Sequence, residues 1–193
     1  MLGLTKQGKG MFSPRLKMLK LPATGTLRAV YFSLGNTPSK EKDISCVQAL
    51  CDLYDGAHQS IDIAIFSLSE PNIIEAIIRA HQRGLEVLVI ADASQSKGKA
   101  MAASLKKLVD AGITVKVTTK QHALMHNKVS IVDMRIVATG SFNYSVSASK
   151  RNDENLIILE GVKVAKQFYE YAVKRVLENE TLQTYIIPPI KRK

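Results

Sequence analysis

The sequence predicts an α/β protein: a mixed β-sheet flanked by helices on both faces. Three observations carry this. Strand-like and helix-like segments alternate from residue 28 to residue 118. Three further strand-like segments then follow, between residues 127 and 159, with no helix between them. A long amphipathic helix closes the pattern at 162–178. Alternation early and a strand cluster late give one mixed sheet.

The elements follow in order. Residues 1–26 carry Gly3, Gly8, Gly10, Pro14, Pro22 and Gly25 and keep no period, so they read as an irregular or partly disordered arm. Residues 28–33 read as a first strand and 35–42 as a loop. Ser45 caps a helix to about Tyr54, with Val47, Leu50, Cys51 and Tyr54 at helical spacing. In 60–67, Ile61, Ile63 and Ile65 alternate with Asp62 and Ala64, which is strand periodicity. Pro71 opens a helix carrying Ile73, Ile74, Ile77 and Ile78, and Gly84 ends it. Residues 85–91 are apolar except for Glu86, hence a buried strand. A helix at 100–111, closed by Gly112, precedes a strand at 113–118. Strands follow at 127–132, 135–138 and 155–159, then the helix at 162–178. The expected organisation is a basic arm (1–26), one catalytic domain (27–180) and a basic C-terminal tail (181–193).

Composition limits the function classes. With 46% hydrophobic and 23% charged residues, 193 residues make an ordinary globular chain. The longest apolar run, 87–91, is far short of the roughly 20 residues of a membrane helix. No apolar core of signal-peptide length lies near the N-terminus, so cytoplasmic placement is expected, with a processed exported form as the other reading. Cys46 and Cys51 lack zinc-ligand company and read as buried thiols. The net charge of +10 is carried by the two ends. Residues 1–30 hold six basic and no acidic residues, and Lys191, Arg192 and Lys193 add three more. Cationic ends suit a polyanion, either nucleic acid or an anionic membrane face.

The chemistry concentrates in one constellation. His126, Lys128 and Asp133 are spaced H-x-K-x4-D, and Gly140, Ser141 and Asn143 follow. Six such positions coincide by chance on the order of once in 10⁸ starts. Strand alternation puts His126 and Lys128 on one face, and Ser141 and Asn143 share another on the next strand. An ammonium, a hydroxyl and an amide together suit a phosphate, with Gly140 allowing close backbone approach. His126 is left as nucleophile or acid–base group. No carboxylate or Cys/His cluster suggests a metal, and no cofactor is expected. Tyr144, Lys150 and Arg151 are candidate substrate contacts beside the site, Tyr144 by stacking and the two cations by phosphate contact.

His126-x-Lys128-x4-Asp133 with Gly140-Ser141-x-Asn143 resembles the HKD motif of the phospholipase D superfamily, over about 28–178. The similarity is closest to short members with one motif per chain: the small bacterial endonucleases and the cardiolipin-hydrolase and piRNA-processing branch. The resemblance implies a phospholipase D-like fold and attack on phosphorus by His126 to give a phosphohistidine. It implies that Lys128 and Asn143 bind phosphate oxygens, that Ser141 completes the pocket, and that Glu154 accepts a hydrogen bond from His126. Asp133 is implied to be structural. Two histidines are needed across the phosphorus, and the chain has one motif and no repeat, so a homodimer sharing one site is expected. The leading expectation is a metal-independent phosphodiesterase acting on DNA or RNA. A phospholipid hydrolase or phosphatidyl transferase is the rival, with residues 185–193 the one segment suggesting membrane contact. A catalytically silent nucleic-acid-binding module is the third reading.

Overall fold

The computed structural model describes residues 25–34, 45–119, 124–179 and 182–185. The expected arm, up to residue 24, and the expected loop at 35–42 lie outside them. Among the described residues one sheet holds eight strands: β1 (Thr26–Leu34), β2 (Ser60–Ile65), β3 (Glu86–Ala91), β4 (Thr114–Thr118), β5 (Lys128–Val132), β6 (Ile136–Gly140), β7 (Asp153–Glu160) and β8 (Leu182–Thr184). Their order is β1-β7-β6-β5-β2-β3-β4-β8. β2, β3 and β4 pair in parallel through helical crossovers, and the other neighbours pair antiparallel. The helices are α1 (Cys46–Asp55), α2 (Pro71–Gln82), α3 (Lys99–Asp110), α4 (Val146–Lys150), α5 (Val162–Phe168) and α6 (Arg175–Asn179).

Strand alternation divides the side chains between two cores. Ile61, Ile63, Ile65, Val89 and Val117 meet Leu50 and Tyr54 of α1, Ile73 and Ile77 of α2, and Leu105 of α3. The opposite face places Ala64, Ile90, Val129, Ile131 and Val137 against Ala165, Ala172, Val173 and Val176. Each large aliphatic side chain so buried contributes about 1.5–3 kcal/mol. Helices therefore cover both faces, as the sequence predicts. The N-terminus of α1 is capped as expected: Ser45 accepts from Gln48 N at 3.1 Å. Cys46 and Cys51 are buried thiols, each pushed up to about 11, chiefly by burial.

Three elements depart from expectation. The helix expected at 162–178 is interrupted by a six-residue π-helical segment, Tyr169–Lys174, between α5 and α6. Ala165, Phe168, Tyr169, Ala172, Val173 and Val176 keep α-helical spacing, so their pattern does not reveal it. The boundary at residue 180 is corrected by β8, which pairs antiparallel with β4 and belongs to the sheet. Three residues are too few to show a period; backbone pairing and the Lys116 Nζ–Thr184 Oγ1 hydrogen bond (2.8 Å) hold the strand. The polar stretch after Ser145 forms α4, with Ser145 accepting from Ala148 N at 3.3 Å.

On the β1 side, Leu159 of β7 still packs against the second core. Ala29 and Tyr31 of β1 pack toward the first core. Leu27, Val30, Phe32 and Leu34 point the other way and are 41–63% exposed. Phe32 lies opposite Asn155 of β7.

Candidate active site

β5 starts at Lys128, opposite Ile65, where β2 ends. Phe66 N donates to Asn127 O at 2.9 Å and carries the pairing past both strand ends. That brings the Phe66 and His126 rings together, with centroids 4.4 Å apart and planes at 57°. The Lys128 ammonium lies 4.9 Å from the Phe66 ring centre, a cation–π contact. It donates to His126 O at 2.8 Å and sits 3.0 Å from His126 Nδ1. The expected shared face of His126 and Lys128 is thus present. Lys128 is buried, and burial lowers its pKa, while the Glu154 carboxylate opposes the shift. An ammonium can only donate, so Nδ1 accepts and the imidazole proton sits on Nε2.

Asp92, at the end of β3, positions the approach to His126. Its Oδ2 accepts from Met125 N at 2.9 Å, one residue before the histidine. Its Oδ1 accepts from Ser94 N (2.8 Å), Ser94 Oγ (2.5 Å) and Gln95 N (3.1 Å). Burial pushes this carboxyl up, but the four donors outweigh it and hold the group below its usual range. Neither Asp92 nor Phe66 carries a signal of its own in the sequence, because each meets the site only through strand pairing.

The other expected residues gather at the β6–β7 end. Gly140 has φ +152°, and a Cβ there would lie 2.3 Å from Asn155 O, which is the close approach the glycine permits. Next to it, Ser141 Oγ donates to Glu154 Oε2 at 2.5 Å and accepts from Asn155 N at 3.0 Å. Asn143 Oδ1 is buried without a hydrogen-bond partner. The turn carrying Asn143 is pinned where Tyr144 O accepts from Ser69 N (2.7 Å) and Glu70 N (3.0 Å).

Several expectations are corrected here. Glu154 does not bond His126: its oxygens are taken by Ser141 and by Asn152 Nδ2 (2.9 Å). The reason is topological, since β6 separates β7 from β5. Tyr144 does not stack on a substrate. It is fully buried, and its hydroxyl meets Ser130 Oγ at 2.7 Å, which meets Tyr54 Oη at 2.6 Å. Lys150 and Arg151 are exposed at the end of α4, where Arg151 donates to Ser147 Oγ at 2.7 Å, away from the cavity described next. Asp133 is structural, as expected. It lies at the far end of β5 and accepts from His58 N, Gln59 N and Ser60 N, the shortest at 2.7 Å. Burial raises its pKa, but these backbone donors dominate and lower it.

A cavity of about 560 Å³ opens beside His126 and Lys128. One wall is strand, with Asn127, Thr139 and Gly140; the other is the helical segment bearing Gln167, Phe168, Tyr171 and Arg175. Among the described residues no three His, Cys, Asp or Glu side chains are grouped to hold a metal ion. No helix there is long and apolar enough to cross a membrane. His126 and Lys128 bring an imidazole and an ammonium to this cavity, whereas Ser141 and Asn143 are not among its lining residues.

The family model described as cardiolipin synthase, PLD-like domain, matches residues 50–175. The chain belongs to the phospholipase D superfamily. Within that superfamily it is 35% identical over 134 residues to a phospholipase D of Rickettsia bellii, covering 69% of this chain and 65% of that one. It is 34% identical over 134 residues to the mitochondrial cardiolipin hydrolase of Homo sapiens, covering 68% and 52%. The chain thus spans under two thirds of the length of these curated relatives. Among solved structures, the phospholipase D family member Nuc from Salmonella typhimurium superposes with a TM-score of 0.72 at 26% identity, covering 83% of this chain and 98% of Nuc. The phospholipase D-like fold predicted from the motif is therefore the fold found.

Proposed function

We propose that this phospholipase D-like protein is a phosphodiesterase that cleaves nucleic acid through a phosphohistidine on His126, without a metal, at a site shared by two copies of the chain. The observation that carries the reading is the Lys128 ammonium held 3.0 Å from His126 Nδ1 at the edge of the cavity of about 560 Å³. His126 Nε2 of one copy attacks phosphorus, and the bond to the leaving oxygen breaks. The leaving oxygen takes the Nε2 proton of His126 from the second copy. Water then attacks the phosphohistidine, and the second imidazole recovers a proton from it. Lys128, Ser141 and Asn143 meet the charge on the phosphoryl oxygens. The donor imidazole must carry protons on both nitrogens, so that giving up Nε2–H leaves a neutral ring. In the attacking copy too the proton must sit on Nδ1, so the Lys128 ammonium has to leave Nδ1 for the phosphate oxygens.

The case for two copies rests on the single motif. His58 lies at the opposite end of β5, beside Asp133, and His81 closes α2 with Nδ1 3.4 Å from Leu85 O. His122, which lacks a following x-Lys, lies outside the described residues. The exposed apolar row of β1, at the edge of the sheet, offers a second copy a surface to cover.

The names of the relatives favour a second reading, hydrolysis of phospholipid by the same chemistry. The net charge of +10 favours nucleic acid. Purified protein incubated in excess chelator with single- and double-stranded DNA, RNA and cardiolipin vesicles separates them. Nucleic-acid cleavage is the expected result. Cleavage of cardiolipin alone selects the second reading, restoration only by a divalent metal overturns the mechanism, and no turnover leaves a silent binding module. Tagged mixed dimers of wild-type and His126→Ala chains test the shared site. They should be nearly inactive, whereas half activity would mean two independent sites.

A further inference from the structure

We propose that the cavity beside His126 is a nucleotide subsite, in which Tyr171 stacks on the base next to the scissile phosphate and Arg175 meets the following phosphate. This rests on the nucleic-acid reading above and names how that substrate is recognised. The cavity holds about 560 Å³, within the roughly 300–1,000 Å³ of small-molecule sites. Its strand wall ends in the phosphate-binding groups. Phe168, Tyr171 and Arg175 fall on one side of the helical segment and form the opposite wall. Tyr171 is 53% exposed on the π-helical turn, an apolar ring facing solvent beside a polar site. Rings left open in this way are platforms for bases, which offer a π-face whatever the sequence. Val129, Gly140 and Ala172 also line it, and Asn127, Thr139 and Gln167 add hydrogen-bonding groups suited to base edges and sugar. With Tyr144 buried in the core, Tyr171 is the more exposed of the two aromatic rings, Phe168 and Tyr171, on this wall.

The test uses the full-length protein and chromogenic esters with one cleavable bond. Thymidine 3′- and 5′-(p-nitrophenyl phosphate) carry a base; methyl p-nitrophenyl phosphate does not. The readout is the larger ratio of kcat/KM for a nucleoside ester over the methyl ester. Wild type should prefer the nucleoside ester about tenfold or more, as one base stack allows. Tyr171→Phe should keep that ratio, while Tyr171→Ala and Tyr171→Leu should bring it near one, with folding checked by thermal melting. Arg175→Ala should lower kcat/KM more on a single-stranded oligonucleotide than on the nucleoside ester. An unchanged ratio in both Tyr171→Ala and Tyr171→Leu overturns the subsite while nucleic-acid cleavage stands. A wild type that hydrolyses cardiolipin vesicles but neither oligonucleotides nor nucleoside esters overturns the underlying reading instead.

Discussion

Two aspartates show how the same group is tuned in opposite directions. Asp62 faces the second core on β2, between Leu88 and Ile131 of the neighbouring strands. Burial, with Glu86 nearby, pushes its carboxyl up to about 6. The folded state therefore holds a proton that the unfolded chain has lost between about pH 4 and 6, and stability falls as pH rises through that window. Asp62→Asn should raise Tm at pH 7.5 by a few degrees, with the gain vanishing below pH 4. A shift of about two units would be worth about 3 kcal/mol, which partial exposure reduces to about 1. Thermal melts across pH 3–8 check this. Asp133 is the reverse case. Its lowered pKa gives stability present above about pH 4 and lost as pH falls through the folded value. Asp133→Ala should cost about 2 kcal/mol at neutral pH by leaving three backbone donors unpaired, and less in acid, as denaturant titrations would show. The motif was legible at this scale because His126 and Lys128 lie on one strand start, where spacing fixes position. Phe66 and Asp92 were not legible, since they arrive from other strands. Glu154 was misplaced because motif spacing does not say that β6 stands between it and His126.

Among the elements, the β6–β7 junction is the least tolerant. Gly140→Ala would force a Cβ to 2.3 Å from Asn155 O at a φ of +152°. Backbone must move, and Ser141 moves with it. The variant should lose several degrees in Tm and most of its turnover together, measured by melting and by phosphodiester hydrolysis. Strands and helices with a clear period, such as β2 and α2, fell where their patterns placed them, within two residues. Those without one did not. The π-helical segment hides under an α-helical apolar stripe, β8 is too short for alternation, and α4 has few apolar residues to repeat.

For the molecule as a whole, charge and chemistry are separable. Residues 1–24 hold Lys6, Lys9, Arg15, Lys17 and Lys20, and none of the motif. Removing them should weaken DNA binding and reduce the slope of log affinity against log salt by up to about 4, while turnover at saturating substrate holds. Binding titrations at several salt concentrations, with rates at saturation, provide the check. Fold class and helices on both faces followed from element order alone, but nothing in that order said how the eight strands would be arranged side by side.

That arrangement has a consequence for how the chain reaches its native state. β1 pairs with β7, joining Thr26 to Glu160 and Leu34 to Asp153 across most of the chain. β2, β3 and β4 join through neighbouring crossovers within residues 60–118 and can assemble early, because little loop entropy is lost in bringing them together. Of the described strands β1 emerges first during synthesis yet must wait for β7, so it is among the last to be placed. Until then Leu27, Val30, Phe32 and Leu34 sit on an unpaired strand open to other chains, and off-pathway association during refolding should begin there.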